Sequence, residues 1–97
     1  MNTMDQIHQH KAEIGQLAQR CGAGRVRIFG SVARGEEKTD SDIDVLVELP
    51  RGYDLFSQRM ALVQGLQQLL QREIDLIPEH ELNPDLRANI LSEAIDV

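Results

Sequence analysis

Two aspartates alternate with aliphatic residues in Ser41-Asp42-Ile43-Asp44-Val45, a short distance after the segment Gly30-Ser31-Val32-Ala33-Arg34-Gly35. In an extended strand, side chains two positions apart share a face. Asp42 and Asp44 would then project together while Ile43, Val45 and Val47 turn to a core. Carboxylates about 7 Å apart on one strand face repel each other unless a cation lies between them. Hard divalent cations such as Mg2+ take oxygen ligands and commonly share them with phosphate groups. Gly30 lets a phosphate approach the backbone, and Ser31 stands where a helical turn with free N–H groups would open. A glycine-serine pair at a strand end is by itself an ordinary turn. Joined to the acidic pair, it reads as nucleotide chemistry.

A third carboxylate belongs to the same reading. In Glu73-Ile74-Asp75-Leu76-Ile77, Ile74 and Leu76 would face a core and Asp75 the opposite side. If this strand lies beside the strand carrying Asp44, then Asp42, Asp44 and Asp75 share one sheet face. Together they could surround one or two Mg2+ ions, with one of them orienting or deprotonating an attacking hydroxyl. The plainer alternative is that Asp75 only solvates an exposed strand face. Arg34 also has two readings: a planar fork for phosphate, or an ion pair with Asp40 or Asp42. Lys38 and Asp40 read as a solvated loop. His8, His10 and His80 lack ligand-spaced neighbours and read as surface residues. Cys21 falls on a helical apolar stripe and reads as a small buried hydrophobe.

The elements that must hold these groups can be read from periodicity. Ile7, Ile14, Leu17, Ala18 and Cys21 give a helix over about residues 3 to 21, which Gly22 and Gly24 end. Val26, Ile28 and Phe29 make a short strand closed by Gly30, and Ser31 to Arg34 could be one helical turn. A loop over 36–40 leads to a strand over 43–49, stopped by Pro50-Arg51-Gly52. Asp54 would cap a helix over 54–72 with the stripe Phe56, Met60, Val63, Leu66 and Leu70, and with Leu62 and Leu69 at its margins. Residues 73–77 form a third strand, which Pro78 ends. Asn83-Pro84 opens a last helix that buries Leu86, Ile90, Leu91 and Ala94. The order predicts an α+β fold: a small mixed sheet with helices packed on one side. The long crossover between the second and third strands predicts that they run parallel.

At 97 residues, the chain has room for one domain over residues 1–97. Apolar residues at 41% and charged residues at 27% fit a globular chain. A net charge of -6, with no Trp, one Tyr and two Phe, disfavours a grip on long nucleic acid through phosphate neutralisation or base stacking. A single cysteine excludes an internal disulfide and a thiolate zinc site. No signal peptide is evident, and no apolar run approaches the roughly 20 residues that cross a bilayer, so a cytoplasmic location without membrane contact is expected.

The two-part pattern Gly30-Ser31-Val32-Ala33-Arg34-Gly35 with Ser41-Asp42-Ile43-Asp44-Val45 resembles the signature of the DNA polymerase β-type nucleotidyltransferases. More narrowly, the chain is similar to the minimal nucleotidyltransferases. The signature covers about residues 26 to 48, and the succeeding helix, strand and helix match the remaining layout. The resemblance implies the nucleotidyltransferase fold, triphosphate held at Gly30 and Ser31 with Arg34 nearby, and metal ions held by Asp42 and Asp44. Asp75 matches the third carboxylate in position.

Many proteins of this kind are antitoxins paired with all-helical HEPN-domain ribonuclease toxins, and some transfer AMP from ATP to a tyrosine of that toxin. The resemblance therefore implies Mg2+, ATP and a HEPN partner. Larger relatives complete the nucleotide pocket with a second domain, for which this chain leaves no room, and a partner could supply that wall. Two alternatives stay open: an antitoxin that neutralises by binding alone, and an antibiotic-type enzyme acting on a small-molecule hydroxyl.

Overall fold

A computed structural model describes residues 2–97. Helices α1 (Thr3–Gln9) and α2 (Lys11–Arg20) come first, followed by β1 (Val26–Phe29), a short helix α3 (Gly30–Arg34) and β2 (Ile43–Val47). A π-helical turn, Leu55–Met60, runs into α4 (Ala61–Leu70), and β3 (Ile74–Pro78) comes next. A 3-10 turn at Glu79–Glu81 leads to α5 (Pro84–Glu93) and a two-residue strand β4 (Ile95–Asp96). The sheet order is β3-β2-β1-β4. β1 is antiparallel to both β2 and β4, and β2 is parallel to β3 as the crossover length requires.

Alternation along the strands sorts the sheet into two unequal faces. Ile28, Ile43, Val45, Val47, Ile74 and Leu76 point to the main core, where Ile7 and Ile14 of the first two helices and Leu62, Leu66 and Leu70 of α4 meet them. The opposite face carries Phe29 and Leu46 in a smaller cluster with Leu82, packed by Ile77, Ile90, Leu91 and Ala94. The last helix thus lies over part of this second face. The remainder, at the start of β2, carries the acidic residues.

Several local signals act as the sequence implied. Asp54 accepts a hydrogen bond from the Ser57 N–H at 2.6 Å, and Asn83 accepts from the Asp85 N–H at 2.9 Å with Pro84 opening the helix. Other details differ. The sheet gains a fourth strand, β4, and α5 packs on the second face, where the helices were expected on one side only. The first helix is broken at His10, whose backbone leaves the helical region at φ -97° and ψ 17°. Residues 54–72 do not form one regular helix: the π turn inserts an extra residue, which rotates α4 by about 100° relative to a continuous helix. The buried stripe is therefore Leu62, Leu66 and Leu70, while Phe56 is 73% exposed and Met60 is also exposed. Leu86 faces solvent instead of the core. Pro78, expected to end β3, pairs in register with Val47 as its last residue.

Candidate active site

The Gly30-Ser31 turn sits where β1 gives way to α3. Gly30 adopts φ +74°, a left-handed conformation that side-chain-bearing residues avoid. It also stands against Asp44: a Cβ at position 30 would lie 2.1 Å from Asp44 Oδ2 and 3.0 Å from its carboxyl carbon. Both constraints require glycine. The antiparallel register of β1 and β2, which opposes Phe29 to Asp44, brings the two segments together.

On its other side Asp44 has Asp75. The parallel register of β2 and β3 pairs them directly, on strands about 4.8 Å apart. Asp44 is half-buried, whereas Asp75 and Asp42 are exposed. Burial, then the charge of Asp75, then that of Asp42, push the Asp44 carboxyl up to about 6, with Arg34 opposing them. Asp44 and Asp75 form a close pair. Asp42 precedes the strand and acts on Asp44 through its charge. Among the described residues, no three carboxylate, imidazole or thiol groups are already drawn into a cation cage. The donor set fits a hard divalent cation nonetheless, because all of its side-chain donors are carboxylate oxygens and one is held against mutual repulsion.

Arg34 neighbours this group but pairs with neither Asp40 nor Asp42. Its Nε donates to Glu36 at 3.1 Å, and a terminal nitrogen donates to Glu93 of α5 at 3.1 Å. Asp42 has its own support. Arg72, just after α4, donates to the carbonyl of Ser41 and to Thr3 Oγ1 at 3.3 Å. The Thr3 hydroxyl donates to Glu37 at 2.5 Å, and Glu37 also lies 3.5 Å from Arg72. These bonds pin the 36–42 loop to α1 and to the start of β3.

Of the other residues considered from sequence, Cys21 is a buried free thiol and Lys38 and Asp40 are exposed. His8 is exposed. His80, expected at the surface, is half-buried beside Tyr53, with ring centroids 6.1 Å apart. Glu93 and Arg72 carried no sequence signal. Each is a single charged residue at the end of a helix, and its contacts cross 63 and 31 residues of chain.

The same layout recurs in known proteins. A nucleotidyltransferase domain model matches residues 7–97. The chain is 38% identical over 91 residues to a candidate protein adenylyltransferase of Methanocaldococcus jannaschii, covering 94% of this chain and 97% of that one. It is 33% identical over 101 residues to the protein adenylyltransferase MntA of Thermococcus cleftensis, covering 100% of this chain and 98% of that one. A solved chain described as a candidate minimal nucleotidyltransferase matches with a TM-score of 0.84 at 39% identity, covering 100% of this chain and 97% of that chain. A crystal structure of a toxin-antitoxin with AMP-PNP shares the fold at 22% identity and a TM-score of 0.67, covering 89% of this chain and 70% of that chain. With residues 7–97 matched to the domain, the chain belongs to the nucleotidyltransferase family, as one of its minimal members.

Proposed function

We propose that this chain transfers AMP from ATP to a tyrosine hydroxyl of a HEPN-type toxin, and that it neutralises the toxin by doing so. The observation that carries the reading is the juxtaposition of Gly30, Asp44 and Asp75: a turn too tight for any side chain beside two carboxylates in register. The relatives named as protein adenylyltransferases support a protein acceptor. The toxin-antitoxin of the same fold with AMP-PNP supports ATP as donor and a toxin as partner. A cytoplasmic location goes with this reading, since ATP is the substrate.

In this reading Gly30 lets the triphosphate approach the turn, and Ser31 holds it through its backbone N–H and its hydroxyl. Asp42, Asp44 and Asp75 would hold Mg2+, which when bound offsets the charge of the triphosphate and of the carboxylates. Asp75, exposed beside Asp44, takes the proton of the acceptor hydroxyl. The acceptor oxygen then bonds to the α-phosphorus, the bond to the bridging oxygen breaks, and pyrophosphate leaves. The exposed Leu55, Phe56 and Met60 offer apolar surface for a protein partner, which also keeps open a neutralisation by binding alone.

The test is the fate of labelled ATP with the partner present. Label at the α-phosphate should appear on the partner, and label at the γ-phosphate should not. Label passing from the γ-phosphate would show kinase chemistry, and no label from either position would leave binding as the mode of neutralisation.

A further inference from the structure

Glu93 is the last residue of α5, and its carboxylate reaches back to the turn between β1 and α3. Its Oε1 accepts from the Gly30 N–H at 2.8 Å and from Arg34 at 3.3 Å, and its Oε2 accepts from the same Arg34 nitrogen at 3.1 Å. One side chain therefore binds both ends of α3. A five-residue helix cannot hold itself together, because nucleation costs more than so few hydrogen bonds return. The Gly30 N–H is also a donor without a partner inside its own helix.

A second observation is independent of these distances. A carboxylate in the last turn of a helix opposes the helix dipole, and no basic residue in that turn of α5 compensates. Glu93 also adds negative charge beside a site that already holds Asp42, Asp44 and Asp75. A local rule is broken here, and the contact with Gly30 and Arg34 is what it obtains.

We infer that Glu93 is a positioning residue, whose carboxylate ties the Gly30–Arg34 segment to α5 and so fixes where the Gly30 backbone stands against Asp44. Arg34 is then a partner in this clamp: its Nε is engaged by Glu36 and its terminal nitrogen by Glu93, so its fork is directed at carboxylates. The consequence for nucleotide binding rests on the Gly30-Ser31 turn holding the triphosphate, as proposed above. With the clamp in place, the turn is ordered before ATP arrives, and binding does not bear the cost of ordering it.

The experiment compares Glu93→Gln, Glu93→Ala and the double variant Arg34→Gln/Glu93→Gln with the full wild-type chain. Backbone amide spectra are recorded without nucleotide and during titration with MgATP. In Glu93→Gln the Gly30 amide proton should shift upfield and exchange with solvent faster. Its MgATP affinity should fall about 10-fold, in line with loss of charge-assisted hydrogen bonds. The melting temperature should change little, because relief of the helix dipole offsets part of the loss. Glu93→Ala should lose more affinity. Adding Arg34→Gln to Glu93→Gln should cost little beyond the single change, since both act through one contact.

An unmoved Gly30 amide in both single variants would overturn the clamp. Unchanged or tighter MgATP binding would overturn its positioning role, the tighter case showing a carboxylate that competes with phosphate. If the wild-type chain binds no MgATP, the nucleotide reading fails, while the Gly30 amide still decides the clamp.

Discussion

Gly30 and Asp44 touch so closely that a Cβ on residue 30 would fall 2.1 Å from Asp44 Oδ2. The contact explains why the turn and the acidic strand occur together: the conformation of one sets the side-chain position of the other. Gly30→Ala should therefore act in two ways. The left-handed backbone costs about 1–2 kcal/mol with any side chain, which lowers the melting temperature by roughly 5–15 °C in a domain of this size. Asp44 must also swing aside. Transfer should be lost at temperatures where circular dichroism still shows a folded chain, and a folded variant with wild-type transfer would show that Asp44 need not stand there.

Asp44 is half-buried between like charges, so the metal-free protein should carry strain at this point. Asp44→Asn should raise the melting temperature in the presence of a chelator by about 5 °C, taking roughly 1 kcal/mol after discounting for solvent screening. The same variant should have no transfer activity. Adding Mg2+ should raise the melting temperature of the wild type and leave the variant unmoved, because mass action requires an intact site. Equal responses of the two to Mg2+ would place the cation elsewhere.

The three main strands are legible because each is punctuated locally, and the parallel run of β2 and β3 because of the chain between them. Gly30 closes β1, Pro50 lies just beyond β2, and the chain from 48 to 73 is too long for a hairpin. Alternation put Asp44 and Asp75 on the outward faces of two parallel strands, whereas their direct pairing depends on the sheet order, which makes β2 and β3 neighbours. The exposed Phe56 was not foreseeable, because a π turn has no composition of its own and an apolar residue one step out of phase still fits a helical stripe. The strand β4 has two residues, too few for any periodicity, and is held by Arg25 donating to Asp96 at 2.6 and 2.8 Å. Arg34 looked available to Asp40 or Asp42 because they are near in sequence. Its partner Glu93 lies 59 residues away and comes close only once α5 has packed on the second face.

The same β4 contact gives a pH dependence. Its hydrogen bond to Arg25 holds the Asp96 carboxyl below the usual carboxylate value of 3.8. A depressed folded-state value means that this contribution is present above pH 3.8 and is lost as pH falls through the lowered value. Exchange of the Val97 amide, which donates to the Val26 carbonyl at 3.2 Å, should therefore gain an opening contribution at acid pH. In Arg25→Gln that acid-induced opening should be much reduced, because the edge is already loosened at neutral pH. Identical acid profiles in the two proteins would remove Arg25 as the cause.

Arg72 reaches the carbonyl that immediately precedes Asp42, and it also bonds to Thr3 of α1. Arg72→Met keeps the length of the side chain and removes its donors. The 36–42 loop should then loosen, with faster amide exchange at Asp42 and a Mg2+ affinity lower by about 10-fold. Unchanged exchange and affinity would show that the β2–β3 ladder alone holds Asp42.

The central claim is that Asp75 serves transfer, and that transfer serves neutralisation. The most direct measurement is the intact mass of the cognate toxin after incubation with ATP, Mg2+ and either the wild-type chain or Asp75→Asn, read beside the growth of cells co-expressing each pair. The wild type should add one or more AMP units to the toxin and protect the cells. Asp75→Asn should still bind ATP and toxin, transfer at least about 100-fold more slowly, and fail to protect, as expected on loss of a general base. A toxin that stays unmodified while either protein protects the cells would contradict the account.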